Sequence, residues 1–153
     1  MEWVRSEQGR KSHDKTKQQA HREQKTAVRD NDRGYWIKQA QAAFNAYIRA
    51  RDDALPCVSC GRHHSGQYHA GHYRTVGANP ELRFEPDNCH KQCAPCNNHL
   101  SGNLVNYRMQ LIERIGIERV EWLEGPHDAK KYSIDDLKGI VKEYKDKLKQ
   151  LGA

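Results

Sequence analysis

The chain has 153 residues, 36% apolar and 30% charged, enough for one domain with a small core and an appended tail. No apolar run could span a bilayer, and the opening residues MEWVRSEQGRKSHDKTKQ lack the apolar centre of a secretion signal, so a soluble intracellular protein without a membrane partner is expected. A formal charge of +6 favours an anionic partner, nucleic acid first, although small domains often carry such charge for solubility alone.

Residues 1–33 hold few apolar groups, with Trp3, Val4, Ala20, Ala27 and Val28 scattered at neither helical nor strand period. They read as a charged arm, flexible or helical, that either touches phosphates or is simply solvated. Residues 34–153 read as the folded domain. Its first element is a helix over 35–52, where Trp36, Ala40, Ala43, Phe44, Tyr47 and Ile48 form one apolar stripe, ended by Leu55-Pro56.

Residues 57–103 are short of apolar groups but contain six histidines and all five cysteines, so this stretch needs an internal staple. Residues 68–75 alternate as a strand carrying His69 and His72, and a second strand passes through Asn88, Cys89 and His90. A short helix bearing Asn97 opens at the Cys93 knuckle. Beyond Gly102 the helical period returns, first through Leu104, Tyr107, Leu111, Ile112 and Ile115, then briefly around Val120, Trp122 and Leu123. Ser133 with Asp136 resembles a capping box for a last helix, whose stripe of Leu137, Ile140, Val141, Tyr144, Leu148 and Leu151 should pack on helix 35–52. The expected class is α+β, a small zinc-stabilised core flanked by helices.

Cys57-x-x-Cys60 and Cys93-x-x-Cys96 are turns that aim paired thiolates at one ion. Together they complete a closed tetrahedral Zn²⁺ site with no position for water, so this zinc is structural and its binding energy is folding energy. Four buried free thiols are the weaker alternative. Cys89 has no partner at ligand spacing and reads as a small buried strand residue.

The order His72, Asn88, Asn97, bracketed by the two CxxC pairs, resembles the HNH nucleases of the ββα-metal fold, in the variant whose last histidine is asparagine. More closely, YWIKQAQAAFNAYIRARD, LPCVSCG, AGHYRT, LRF, HKQC, CNNH and SGNLVNYR resemble the phage lambda NinG (Rap) recombination proteins, from residue 35 to the C-terminus. Members carry an N-terminal cysteine-rich segment, whereas no cysteine precedes Cys57. The resemblance implies a phage-encoded protein of the bacterial cytoplasm. It also implies a structure-specific endonuclease for branched recombination intermediates, Holliday junctions included, leaving 5′-phosphate and 3′-hydroxyl ends.

On that resemblance His72 is the general base, and Asn88 holds its imidazole through the other ring nitrogen. Asn97 ligates Mg²⁺ or Mn²⁺ through its carbonyl oxygen. HNH sites usually place a metal-binding residue immediately before the base, where this chain has Gly71. Strand alternation puts His69 on the side of residue 71, and glycine there would let His69 reach across as second ligand, with His99 as rival. His63 and His64 are expected in solvent, and nothing singles out His90. Arg74, Arg83 and Lys91, with Arg49, Arg51, Arg108 and Arg114 on the adjoining helices and Tyr73 and Tyr107 interleaved, make a candidate duplex-binding surface. Symmetric junction cleavage needs two sites, so a homodimer is expected. Two other readings stand beside this one: a non-catalytic zinc-knuckle module binding DNA or a recombination protein, and an HNH nickase without branch preference.

Overall fold

The computed structural model describes residues 7–152, so the expectations for Trp3 and Val4 lie outside the described residues. Helix α1 spans Glu7–Asp30 and is exposed along most of its length, as its mix of Lys, Gln, Glu and Arg without an apolar stripe requires. It meets the body at its C-terminal end, where Trp36 Nε1 donates to Asp30 O (3.2 Å) and Arg29 lies over the Tyr35 ring (5.2 Å).

Helix α2, Arg33–Arg51, begins two residues before the expected start at residue 35 because Asp32 caps it, accepting from the N–H groups of Gly34 and Tyr35. Such a cap is worth about 1 kcal/mol. Helix α5, Ile134–Gln150, lies against α2, and its Ser133–Asp136 capping box is formed in both directions. Phe44 packs edge-on to Tyr144 with ring centroids 4.9 Å apart, and Phe84, Cys89, Tyr132 and Leu137 complete this core. Each such side chain, fully buried, contributes about 1.5–3 kcal/mol.

Strands β1 (Tyr68–His72) and β2 (Cys89–Cys93) form an antiparallel pair in which His69 faces Gln92, Gly71 faces His90 and His72 faces Cys89. Strand β1 stops at His72, short of residue 75: Tyr73 N still donates to Asn88 O (2.8 Å), but the Asn88 side chain takes both backbone groups of Arg74 and the chain then turns, with Asn79 N on Thr75 O. Two short turns, Pro80–Leu82 and Pro86–Asn88, carry it back to β2.

The hairpin lies between two helical layers. Ala70 and Cys89 pack on the α2–α5 side, with His72 beside Phe44. On the other side are Tyr107 and Leu111 of α3 (Leu104–Ile115) and Val120 and Leu123 of α4 (Ile117–Glu124), with Val58, Tyr73 and Leu82. Gly116 divides α3 from α4 with a φ of 87°, a backbone state that suits glycine. No helix among the described residues is long and apolar enough to cross a membrane.

Candidate functional site

The four cysteines of the two CxxC turns gather so that their sulfur atoms all lie within 4.8 Å of one another, with Cys60 Sγ and Cys93 Sγ 3.9 Å apart. A tetrahedral zinc with bonds of about 2.3 Å has ligand edges of about 3.8 Å, so the set fits that ion. Backbone geometry prepares it. Cys93 N donates to Cys57 Sγ (3.3 Å). Burial opposes ionisation of Cys57, but N–H donation from Cys93, Cys60 and Ser59 outweighs it and brings the thiol to about 7. His64, expected in solvent, instead packs half-buried here, its Nε2 3.2 Å from Cys60 Sγ and its own N–H on the Tyr68 hydroxyl (2.6 Å). Cys89 stands apart from this set, fully buried in the α2–α5 core, where burial pushes its thiol well up.

His72 closes β1 on the α2 side, its ring stacked on Phe44 at 6.3 Å. Its Nε2 lies 2.9 Å from Arg83 O. A carbonyl can only accept, so Nε2 carries the proton and Nδ1 keeps its lone pair. Burial lowers the His72 pKa; the bond to Arg83 O pulls the other way, and the Arg83 charge lowers it further. The imidazole is therefore neutral near pH 7, with one nitrogen oriented and the other unprotonated.

Asn88 does not hold the imidazole, which corrects the role expected for it. The fully buried Asn88 side chain accepts from Arg74 N (2.8 Å) and donates to Arg74 O (3.1 Å) and Leu82 O (3.2 Å). It ties together the two limbs of the excursion between the strands. One residue beyond Leu82, Arg83 supplies the carbonyl that aims His72. Asn88 therefore bears on His72 at one remove, through the backbone.

The glycine before His72 has a reason invisible in the sequence. A Cβ at Gly71 would fall within contact distance of Gln92 Oε1 and 3.0 Å from Gln92 Cβ and Cδ. Gln92, not His69, fills that space. Its Nε2 donates to Ser59 Oγ (2.8 Å) and Gly102 O (2.5 Å), while its Oε1 is buried with no hydrogen-bond partner. Gln92 thus ties β2 to the first CxxC turn and to the turn that follows the Asn97 segment. That turn is left-handed throughout, with φ of 48° at Ser101, 84° at Gly102 and 47° at Asn103.

Asn97 is half-buried on the single π-type turn Pro95–His99, and His99 is exposed there. His69 is half-buried on the Gln92 face of the hairpin, opposite by strand alternation to the face of His72. Apart from the four cysteines, no group of three or more His, Cys, Asp or Glu donors gathers among the described residues. His90 is buried under α3, its Nδ1 3.4 Å from the Tyr107 hydroxyl, which itself donates to Gly71 O (2.7 Å). Burial drives the His90 pKa down to about 4.

The basic residues divide. Lys91 is buried, with Nζ on Asp53 O (3.0 Å) and over the Tyr68 ring (4.1 Å), so it is not a free phosphate ligand. Arg51 is likewise held, by Asp52, Pro86 O and Cys89 O. Arg108 pairs with Glu124 at 2.9 Å, and Arg114 donates to Pro56 O (3.1 Å). Tyr73 and Tyr107 are buried and cannot stack on bases. Arg49 is exposed, Arg74 and Arg83 are half-buried, and Arg74 Nε is buried with no partner.

Over residues 3–153 the chain matches the family described as Bacteriophage Lambda NinG protein. It is 56% identical over 119 residues to the Protein ninG of Salmonella phage P22 and to that of Escherichia phage lambda. With the Protein ninG of Escherichia phage 933W it shares 54% over 119 residues. Each match covers 78% of this chain and 58% or 59% of the relative, so the chain spans about three fifths of the length of these curated relatives. No solved structure matches.

Proposed function

Because this chain belongs to the bacteriophage lambda NinG family, we propose that it is an HNH-type, metal-dependent endonuclease for branched recombination DNA, built on a structural zinc knuckle. The observation that carries this reading is His72: half-buried, neutral, with Nε2–H fixed on Arg83 O and Nδ1 unprotonated. A histidine that served only to fill space would gain nothing from that arrangement at a strand end. On this reading Nδ1 takes a proton from water as its oxygen attacks phosphorus and the bond to the 3′-oxygen breaks. A neutral imidazole is the proton acceptor suited to this task near pH 7.

Asn97 would hold the divalent cation, which would supply positive charge at the phosphate when bound; His69, expected as the second ligand, lies on the face of the hairpin opposite to His72 and is not placed to share it. An amide oxygen suits a hard cation such as Mg²⁺ or Mn²⁺. Asn88 and Gln92 are positioning residues: the first holds the loop that aims His72, the second holds the turn after Asn97.

A second reading is a zinc-knuckle module that binds DNA without cutting it. It is favoured by Gly71, whose place as a ligand position is filled by a structural glutamine. Incubation of zinc-loaded protein with a labelled four-way junction and the matching linear duplex, in Mg²⁺, Mn²⁺ or EDTA, separates the two. Junction cleavage in Mn²⁺ that EDTA abolishes is expected; tight binding with no cleavage in any metal would leave the binding module.

A further inference from the structure

His64 stands four residues beyond Cys60, in the loop between the first CxxC turn and β1. The chain turns back after Cys60, with Cys57 N donating to Arg62 O (3.0 Å), and this returns His64 to the knuckle. Two contacts with Tyr68 of β1 hold it there. Its backbone N–H donates to the Tyr68 hydroxyl (2.6 Å), and its ring stands edge-on to the Tyr68 ring, centroids 6.1 Å apart. Tyr68 is itself fixed, with Lys91 Nζ 4.1 Å from its ring centroid. His64 Nε2 then lies 3.2 Å from Cys60 Sγ.

Cys60 is the accessible member of the set, half-buried where Cys57, Cys93 and Cys96 are buried. A cavity of about 650 Å³ reaches the knuckle, lined by Cys60, Cys93 and Cys96 together with His64, Arg62 and Asn103. Zinc bound by four thiolates leaves two negative charges in excess, which N–H donors must offset. The backbone supplies some of these donors, Cys93 N to Cys57 Sγ and the Arg62 N–H to Cys60 among them. Among the described residues two side chains add an N–H: Asn103 Nδ2 at 3.5 Å from Cys96 Sγ, and His64 on Cys60. A zinc-bound thiolate has no proton to give, so the hydrogen between His64 and Cys60 belongs to Nε2.

We propose that His64 is an outer donor to the zinc knuckle: its Nε2–H holds the Cys60 thiolate on the side open to the cavity, and so sets how tightly zinc is bound and how slowly Cys60 reacts with electrophiles. The role rests on zinc filling the four-cysteine site and is independent of His72 as a base. A thiolate that accepts a hydrogen bond has stabilised lone pairs. It is a weaker nucleophile, and its electrons move to a metal less readily.

Three variants separate the hydrogen bond from the space the ring fills. His64→Ala removes both but keeps the backbone bond to the Tyr68 hydroxyl, His64→Phe keeps a ring without the N–H, and His64→Gln offers an amide N–H of similar reach. Zinc affinity, measured by competition with a chelating dye, should fall about 10–100-fold in the Ala and Phe variants and recover in Gln. With Co²⁺ in place of zinc, the sulfur-to-metal charge-transfer band should move to lower energy in Ala and Phe, while the visible bands of four-sulfur tetrahedral cobalt stay. N-ethylmaleimide adds to a thiolate across its C=C bond, forming one C–S bond while the other carbon takes a proton from water, and the thioether then releases the metal. Zinc release by this reagent should be about tenfold faster in Ala than in wild type, with Cys60 the first cysteine alkylated by mass spectrometry. Wild-type affinity and an unmoved charge-transfer band in His64→Ala, or first alkylation at another cysteine, would overturn the role of His64 and leave the knuckle standing. Wild-type protein that binds no zinc would overturn the knuckle itself.

Discussion

Gly71→Ala tests whether the departure from the HNH pattern at this position is steric. The added Cβ would lie 3.0 Å from Gln92 Cβ and Cδ and closer still to Oε1. Gln92 is 0% exposed, so its amide cannot swing into water. It must move within a packed layer and give up its bonds to Ser59 Oγ and Gly102 O. Overpacking costs about 1–3 kcal/mol and each hydrogen bond about 1 kcal/mol, so the substitution should destabilise by about 3 kcal/mol. Gln92→Ala loses the same bonds and opens a cavity, for a similar loss of about 2–4 kcal/mol. In the double variant the new methyl group enters the vacated space. Urea unfolding of zinc-saturated protein, followed by circular dichroism, should therefore show the double variant within about 1 kcal/mol of Gln92→Ala alone, a coupling of about 2–3 kcal/mol. Losses that simply add, to about 6 kcal/mol, would refute the steric account.

Elemental analysis should find about one zinc per chain, and Cys60→Ser or Cys96→Ser should yield unfolded or aggregating protein; undiminished stability without metal would count against the knuckle. His90, with an ordinary value of 6.5 lowered to about 4 by burial, binds a proton in the unfolded chain before the folded one. Its effect is absent above about pH 6.5, and stability is then lost as pH falls from there toward about 4, by about 3 kcal/mol in all. His90→Gln should flatten that part of the stability profile relative to wild type, and an unchanged profile would mean His90 is not the titrating group. Deleting residues 1–28 removes most of α1, so DNA affinity should fall at low salt while cleavage chemistry persists; equal binding at every salt concentration would make the arm a solvated tail.

The helices could be read from the sequence because their signals are local. The stripes of α2, α3 and α5, the Ser133 capping box and the glycines at 116 and 125 are all set by neighbours within a turn or two. The cysteine cluster was legible because CxxC spacing constrains its own geometry. The support of His72 was not, because it depends on register and on backbone atoms. The pairing of Gly71 with His90 and His69 with Gln92 decides what fills the space at residue 71, and no pattern within either strand reveals it. The carbonyl of Arg83, which aims His72, belongs to a residue whose charge drew attention instead. Arg51 and Lys91 show the converse: a charged letter marks a surface residue only when the fold leaves it outside, and here Asp52 and Asp53 O claim them.

On the proposed function, His72 is the general base of an endonuclease. His72→Ala leaves the zinc knuckle and the Asn88 staple in place, and removes the proton acceptor together with the bond to Arg83 O and the ring against Phe44, so its fold is checked by circular dichroism. A positioned base contributes about 10²–10⁴-fold in rate. Single-turnover cleavage of a labelled four-way junction in Mn²⁺ should fall by about that factor, with affinity measured in EDTA unchanged. Cleavage by His72→Ala at the wild-type rate would contradict the assignment.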